Sequence, residues 1–154
     1  MAAQLDDLDR KILAELQADG RLSVTELADR VGLSLSPCHR RVRALEQEGV
    51  IKGYRAQLDS ASLGLKFSAI VFVTLREGDR TAVEAFERAV VDIPQIVDAK
   101  RLFGEPDYLL QVTTSDLNAF QKLYDDQLSS LPNVRRLIST LVMKTVFQDR
   151  MLCM

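Results

Sequence analysis

The chain reads as an α+β protein in two parts, short helices up to about residue 52 followed by a strand–helix–strand–strand–helix–strand run from about residue 63. Three observations predict this. Apolar residues recur at helical spacing as far as Leu45, whereas alternating and β-branched segments dominate from Phe67 onward. A serine–glutamate cap and a glycine turn separate short helices in the first part. Gly49 and Gly53 then bracket a β-leaning segment at the junction.

Helix 1 is expected to begin at Asp6 and to stop at Asp19-Gly20, with Leu8, Ile12, Leu13 and Leu16 inward and aspartates complementing its N-terminus. Ser23-Val24-Thr25-Glu26 is a capping box, since the serine oxygen can accept the third N–H while the glutamate returns to the cap. Leu27, Ala28 and Val31 bury helix 2, and Gly32 suits a left-handed residue at its end. Ser36-Pro37 is read as the start of helix 3, with proline at the first helical position, where a missing N–H costs nothing. Cys38, Val42 and Leu45 share one stripe. At about 100° per residue, Arg40, Arg43 and Gln47 point away from it, His39 flanks them and Arg41 lies near the apolar edge. Tightly joined helices of this kind make a helix-turn-helix, and an exposed arginine face is a candidate for phosphates and base edges. Gly49–Ala56 is read as the wing of a winged helix or as a linker strand.

In the second part Phe67–Leu75, Ile96–Phe103, Asp107–Thr114 and Val134–Phe147 are read as strands, and Thr81–Val91 and Leu117–Leu128 as helices. Val83, Phe86 and Val90 are expected inward from the first helix, and Leu117, Phe120 and Tyr124 from the second. The βαββαβ order predicts a ferredoxin-like sandwich. Residues 1–52 are thus read as a winged helix-turn-helix, 53–62 as a linker strand and 63–154 as the ferredoxin-like domain. Along Phe67–Leu75 both faces are apolar, yet two helices cover only one face of such a sheet. A homodimer through the open face is predicted, the alternative being the N-terminal domain folded back over its own sheet.

Net charge is −2, which argues against a generally basic nucleic-acid coat, but Arg40, Arg41, Arg43, Lys52 and Arg55 cluster while many acids lie elsewhere. A local patch repeated by oligomerisation can still bind DNA. The apolar run Ala69–Val73 is far short of a membrane span and the start is acidic, so a cytoplasmic location is expected without a membrane partner. Cys38 and Cys153 fit neither a metal spacing nor a disulfide framework.

The order and spacing of Leu8-Asp9-Arg10-Lys11-Ile12-Leu13, Gly20-Arg21-Leu22-Ser23, Glu26-Leu27-Ala28, Gly32-Leu33-Ser34-Leu35-Ser36-Pro37, Arg40-Arg41-Val42, Gly49-Val50-Ile51-Lys52-Gly53-Tyr54 and Gly104-Glu105-Pro106-Asp107-Tyr108-Leu109-Leu110 carry a resemblance. Nearly end to end, the chain resembles the leucine-responsive/asparagine (Lrp/AsnC, feast/famine) family of transcription regulators. The resemblance implies a DNA-binding N-terminal domain, a C-terminal domain that pairs sheets into dimers and often tetramers or octamers, and an amino-acid effector bound near the loop at Gly104–Tyr108. Phe103 departs from the small hydroxyl residue that relatives often carry there.

The residues expected at DNA are Ser36 and His39 at the helix N-terminal end, Arg40 and Arg43 on its polar face, Lys52 on phosphate, and Arg41, for which an internal pair with Glu26 or Asp29 is the alternative. The residues expected at the effector are Phe103, Gly104, Glu105, Asp107, Tyr108, Ser139 and Thr140, with the Asp107 carboxylate facing an α-ammonium group and nearby N–H groups facing an α-carboxylate. Read without a ligand, Gly104–Asp107 is an ordinary hairpin turn. Cys38 beside His39 does not make a nucleophile and base, because adjacent helical residues diverge. The only histidine lies in the DNA helix, so neither an enzyme like the haem-biosynthetic decarboxylases that resemble this family, nor a cofactor or metal, is expected. The alternative function is an architectural DNA-binding protein without an effector.

Overall fold

The computed structural model describes residues 4–153. They form two compact units: one runs to Gln57 and includes the tail from Phe147, and the other spans Leu58–Val146.

In the first unit α1 (Asp7–Ala18), α2 (Val24–Val31) and α3 (Leu35–Gln47) pack around Ile12, Leu13, Leu27, Ala28, Val31, Cys38, Val42 and Leu45. Both expected signals at α2 are present. Ser23 and Glu26 form the reciprocal capping box, and Gly32 ends the helix in the left-handed region at φ 75°. Two expectations need correction. Helix α3 starts earlier than Ser36-Pro37 suggested, with Ser34 as its cap and Pro37 at the third helical position. Proline is harmless there too, because the first intrahelical donor is the amide of Cys38, bonded to the Ser34 carbonyl at 3.2 Å. The second concerns residues 49–56, read as a wing or a linker strand, which carry no strand in this single chain among the described residues. Val50 and Ile51 pack on the helical core, and the Ile51 amide closes α3 on the Leu45 carbonyl.

The second unit is an antiparallel sheet in the order β2 (Ile96–Arg101), β3 (Tyr108–Thr114), β1 (Phe67–Leu75), β4 (Val134–Leu141). Helices α4 (Arg80–Val91) and α5 (Leu117–Asp126) supply Val83, Phe86, Val90, Phe120 and Leu123 to one face, against Ala69, Val71, Val73, Leu110 and Val112. This is the ferredoxin-like arrangement. Asp79 and Asp116 cap the two helices by accepting the amides of Ala82 and Ala119. Leu117, expected inward, is the first residue of α5 and is exposed; Leu123 fills the inward position. The last strand is also shorter than expected. It pairs with β1 from Val134 to Leu141, the Val142 amide donates to the Ser68 carbonyl close to where β1 begins, and residues 143–147 carry no strand among the described residues.

On the face without helices, register places Phe72 between Leu109 and Ile138, and Ile70 between Gln111 and Thr140. The apolar strip expected from β1 alone therefore continues across the neighbouring strands. Phe86, fully buried with its ring 4.7 Å from that of Tyr108, anchors the opposite face. Phe86→Ala is expected to destabilise the second unit by about 3–5 kcal/mol, read by urea denaturation at fixed protein concentration.

Candidate functional site

Helix α3 presents Ser36, His39, Arg40 and Arg43 on one exposed face. Among the described residues, none of these side chains has a hydrogen-bond or ion-pair partner. Lys52 is exposed beyond the helix end. The starts of α1 and α2 are both closed by capping boxes, whereas Ser34 at α3 makes no side-chain cap bond. The first-turn amides of α3 therefore remain available to an anion at the end where Ser36 and His39 sit.

Arg41 differs from its neighbours. Its Nη1 donates to Asp6 Oδ2 and Asp9 Oδ1, each at 2.8 Å, and its side chain is only 29% exposed. The internal pairing weighed for this residue exists, but with the α1 aspartates rather than Glu26 or Asp29. Those aspartates already bond one another's backbone, the Asp9 amide to Asp6 Oδ1 at 2.8 Å and the Asp6 amide to Asp9 Oδ2 at 3.2 Å. Arg41 closes a three-member lock that holds α3 against the start of α1, and its guanidinium is committed there rather than facing a phosphate. Sequence reasoning missed these partners, although Asp6-x-x-Asp9 at a helix start is itself a capping-box pattern that puts two carboxylates in one place.

Tyr54 was missed as well. Its hydroxyl donates to Glu46 Oε1 at 3.1 Å, tying the segment after α3 back to that helix. Burial and the Glu46 carboxylate push its phenol up, so it remains a donor at neutral pH. The Cys38 thiol is fully buried and pushed up by that burial, which agrees with packing and not with a nucleophile.

In the second unit, the turn between β2 and β3 holds Phe103 fully exposed, Gly104 at φ 130° and Glu105 exposed. The two polar residues that follow are engaged internally. Asp107 Oδ2 accepts the Leu75 amide at 2.7 Å, and the Asp107 amide donates to the Val73 carbonyl at 2.9 Å. Tyr108 is buried and its hydroxyl donates to Glu87 Oε1 at 2.6 Å; desolvation, with Glu87 beside it, pushes its phenol up to about 12. The Tyr108 hydroxyl proton is committed to Glu87, and Asp107 fastens the turn to β1. Ser139 and Thr140 pair with Val71 and Ile70 on β4, so β1 stands between them and β3. The chain alone does not bring them to the turn. A hollow of about 410 Å³ in this unit is lined by Glu84, Glu87, Arg88, Val91 and Asp92 and includes none of the seven residues. Among the described residues no cluster of His, Cys, Asp and Glu is arranged to hold a metal ion, and no helix is long and apolar enough to cross a membrane.

A helix-turn-helix with a free cationic face, followed by a ferredoxin-like unit, defines a DNA-binding protein with an appended sensing or assembly module. The comparisons give this class a family. Residues 5–52 match the winged helix-turn-helix DNA-binding model, and residues 68–152 match the Lrp/AsnC ligand binding domain. The chain is 42% identical to the Bkd operon transcriptional regulator of Pseudomonas aeruginosa over 94% of each chain. It is 41% identical to the leucine-responsive regulatory protein of Escherichia coli, covering 96% of this chain and 90% of that one. A transcriptional regulator from Neisseria meningitidis, solved as its L-Met complex, superposes with a TM-score of 0.88 at 39% identity over 94% of each chain. An AsnC family regulator from Agrobacterium tumefaciens gives a TM-score of 0.90 at 33% identity over 97% of each chain. The protein belongs to the Lrp/AsnC family of transcription regulators.

The lock at Arg41 makes a pH prediction. The Asp6 carboxyl is held below its ordinary value of 3.8, first by the Asp9 amide and then by Arg41. A lowered folded-state value means that its stabilisation is complete above the ordinary value and is lost as pH falls through the lowered one. Asp6→Asn keeps a capping oxygen but removes the charge. Melts of the first unit between about pH 2 and 6 should therefore show a smaller acid-induced loss of stability in the variant than in the parent.

Proposed function

We propose that the chain regulates transcription by laying α3 in the major groove, with Arg40 and Arg43 on base edges or phosphates, Ser36 and His39 at the helix N-terminal end, and Lys52 on the backbone. The observation that carries this is the exposed face of α3, which is free of internal partners while the adjacent Arg41 is fully engaged in holding the helix. Arg41 is here a positioning residue, not a DNA contact.

The C-terminal domain, taken as residues 63–154 after a linker at 53–62, is proposed to bind an amino acid and to assemble. The apolar strip of Ile70, Phe72, Leu109 and Ile138 suits a second copy of the same face, giving a homodimer that carries two reading helices and can build to tetramers or octamers. A second copy would also supply what one chain lacks, a way to bring residues such as Ser139 and Thr140 to the turn at Phe103–Asp107. Amino-acid binding is supported by the match to the family's ligand binding domain and by the L-Met complex of the Neisseria relative. Such a ligand acts only by favouring one assembly or orientation of the domains over another. The activity is one of binding, without a catalytic step, and its place is the cytoplasm.

Mobility shift on the DNA beside its own gene, with amino acids titrated, tests this function; binding indifferent to sequence and to every amino acid would leave the architectural alternative. Arg40→Ala or Arg43→Ala should cost about 1–3 kcal/mol and relax sequence preference if the residue reads a base. Lys52→Ala should weaken binding uniformly and reduce the salt dependence by about one phosphate contact. Arg41→Ala should leave that salt dependence unchanged. A thermal-shift panel of amino acids on the full chain should give a stabilising ligand, and Asp107→Ala should lower the melting temperature even without it, because the Leu75 amide loses its acceptor.

A further inference from the structure

The outer stripe of α1 carries Arg10, Ala14 and Gln17, spaced to share one helical face, with Lys11 beside them. Met151 and Leu152 from the end of the chain lie against this stripe and, with it, line a hollow of about 290 Å³. The recognition is specific at one residue. The Leu152 amide donates to Gln17 Oε1 at 2.7 Å, and Gln17 Nε2 donates to the Leu152 carbonyl at 3.3 Å, so a side-chain amide reads both backbone groups of Leu152. The tail also has order of its own, since the Arg150 guanidinium sits 4.0 Å above the Phe147 ring.

We propose that the outer face of α1 is a peptide-docking site whose occupant is the chain's own tail, Phe147–Cys153, and that this docked tail is a latch on the reading unit. The tail chemistry fits the site. An extended segment offers one donor and one acceptor, and a primary amide is the side-chain group that answers both at once. The seat is also reversible by construction, because Met151 and Leu152 remain 56% and 77% exposed and little apolar burial holds them.

Covalent order gives the latch its meaning. The family's ligand-binding region extends to residue 152, yet from Phe147 the chain is part of the helical unit. The chain thus leaves that unit once after Gln57 and returns to it once before Phe147. With the tail seated the helical unit is held by two chain segments, and with it released by one, so latch state changes how freely the reading helix can be placed. That role in control rests on the regulator function proposed above; the docking itself does not.

The test uses the full chain without DNA or amino acid, so its failure is separate from failure of the regulatory function. Cys153 is exposed and Cys38 is buried, so an Ala14→Cys variant offers a short bis-maleimide two accessible thiols, one at each side of the seat. The expected product is a single bridged chain, identified by mass and by monomer mobility on a denaturing gel. Adding Gln17→Ala should slow its formation about fivefold or more, and should raise amide exchange of the tail peptide to a similar degree, with the helical circular dichroism unchanged. Leu152→Pro, which removes the donor without altering α1, should do the same. Bridges only between chains would assign the seat to a second copy's tail and overturn the proposal. Equal rates and equal exchange with and without Gln17 would overturn it as well.

Discussion

Everything the reading unit offers to DNA depends on where α3 is held: Cys38, Val42 and Leu45 seat it in the core, and one guanidinium ties it to the start of α1. Arg41 reaches both carboxylates of the α1 capping box, so the bonds that start the first helix also orient the third. Placing one cation between two acids beside a helix N-terminus is favourable on each count, since the aspartates complement the helix dipole and the arginine reduces their mutual repulsion. Neighbouring arginines on α3 consequently have unlike jobs, Arg40 and Arg43 outward and Arg41 toward α1, as the turn of about 100° per residue separates them.

The same division explains how an acidic chain can address a polyanion. Three acids near the reading helix are engaged by neighbours: Asp6 and Asp9 by Arg41, and Glu46 by the Tyr54 hydroxyl. The outward face at Ser36, His39, Arg40 and Arg43 is cationic or neutral, with Glu46 exposed one turn beyond it and bonded by Tyr54. Local potential, not net charge, is what an approaching phosphate meets within a screening length of about 8–10 Å.

Much of this was legible in the residues themselves. Periodicity located α1 to α5 and the four strands of the sheet, and the Ser23–Glu26 box and Gly32 marked the limits of α2 because those signals act through bonds between near neighbours. Boundaries that depend on a distant partner were not legible. Val134–Phe147 reads as one long strand, but its end is set by where β1 begins. Val50 and Ile51 have strand propensity, yet a helical core claims them. At the sites, the outward face of α3 followed from angle alone. The partner of Arg41 did not, because proximity between Asp9 and Arg41 arises only once the helices are packed. Asp107 and Tyr108 were picked out as polar residues beside a turn, and the sequence could not say that the Leu75 amide and Glu87 already engage them.

The sheet's two rims differ in character from its open face. Strand β2 carries Asp98, Lys100 and Arg101, and β4 carries Arg135 and Arg136, so both outermost strands are charged. Unpaired strand rims are templates for endless edge-to-edge growth, and charge is one of the ways natural sheets refuse it. Charge on both rims therefore works against open-ended edge pairing, while the open face stays apolar.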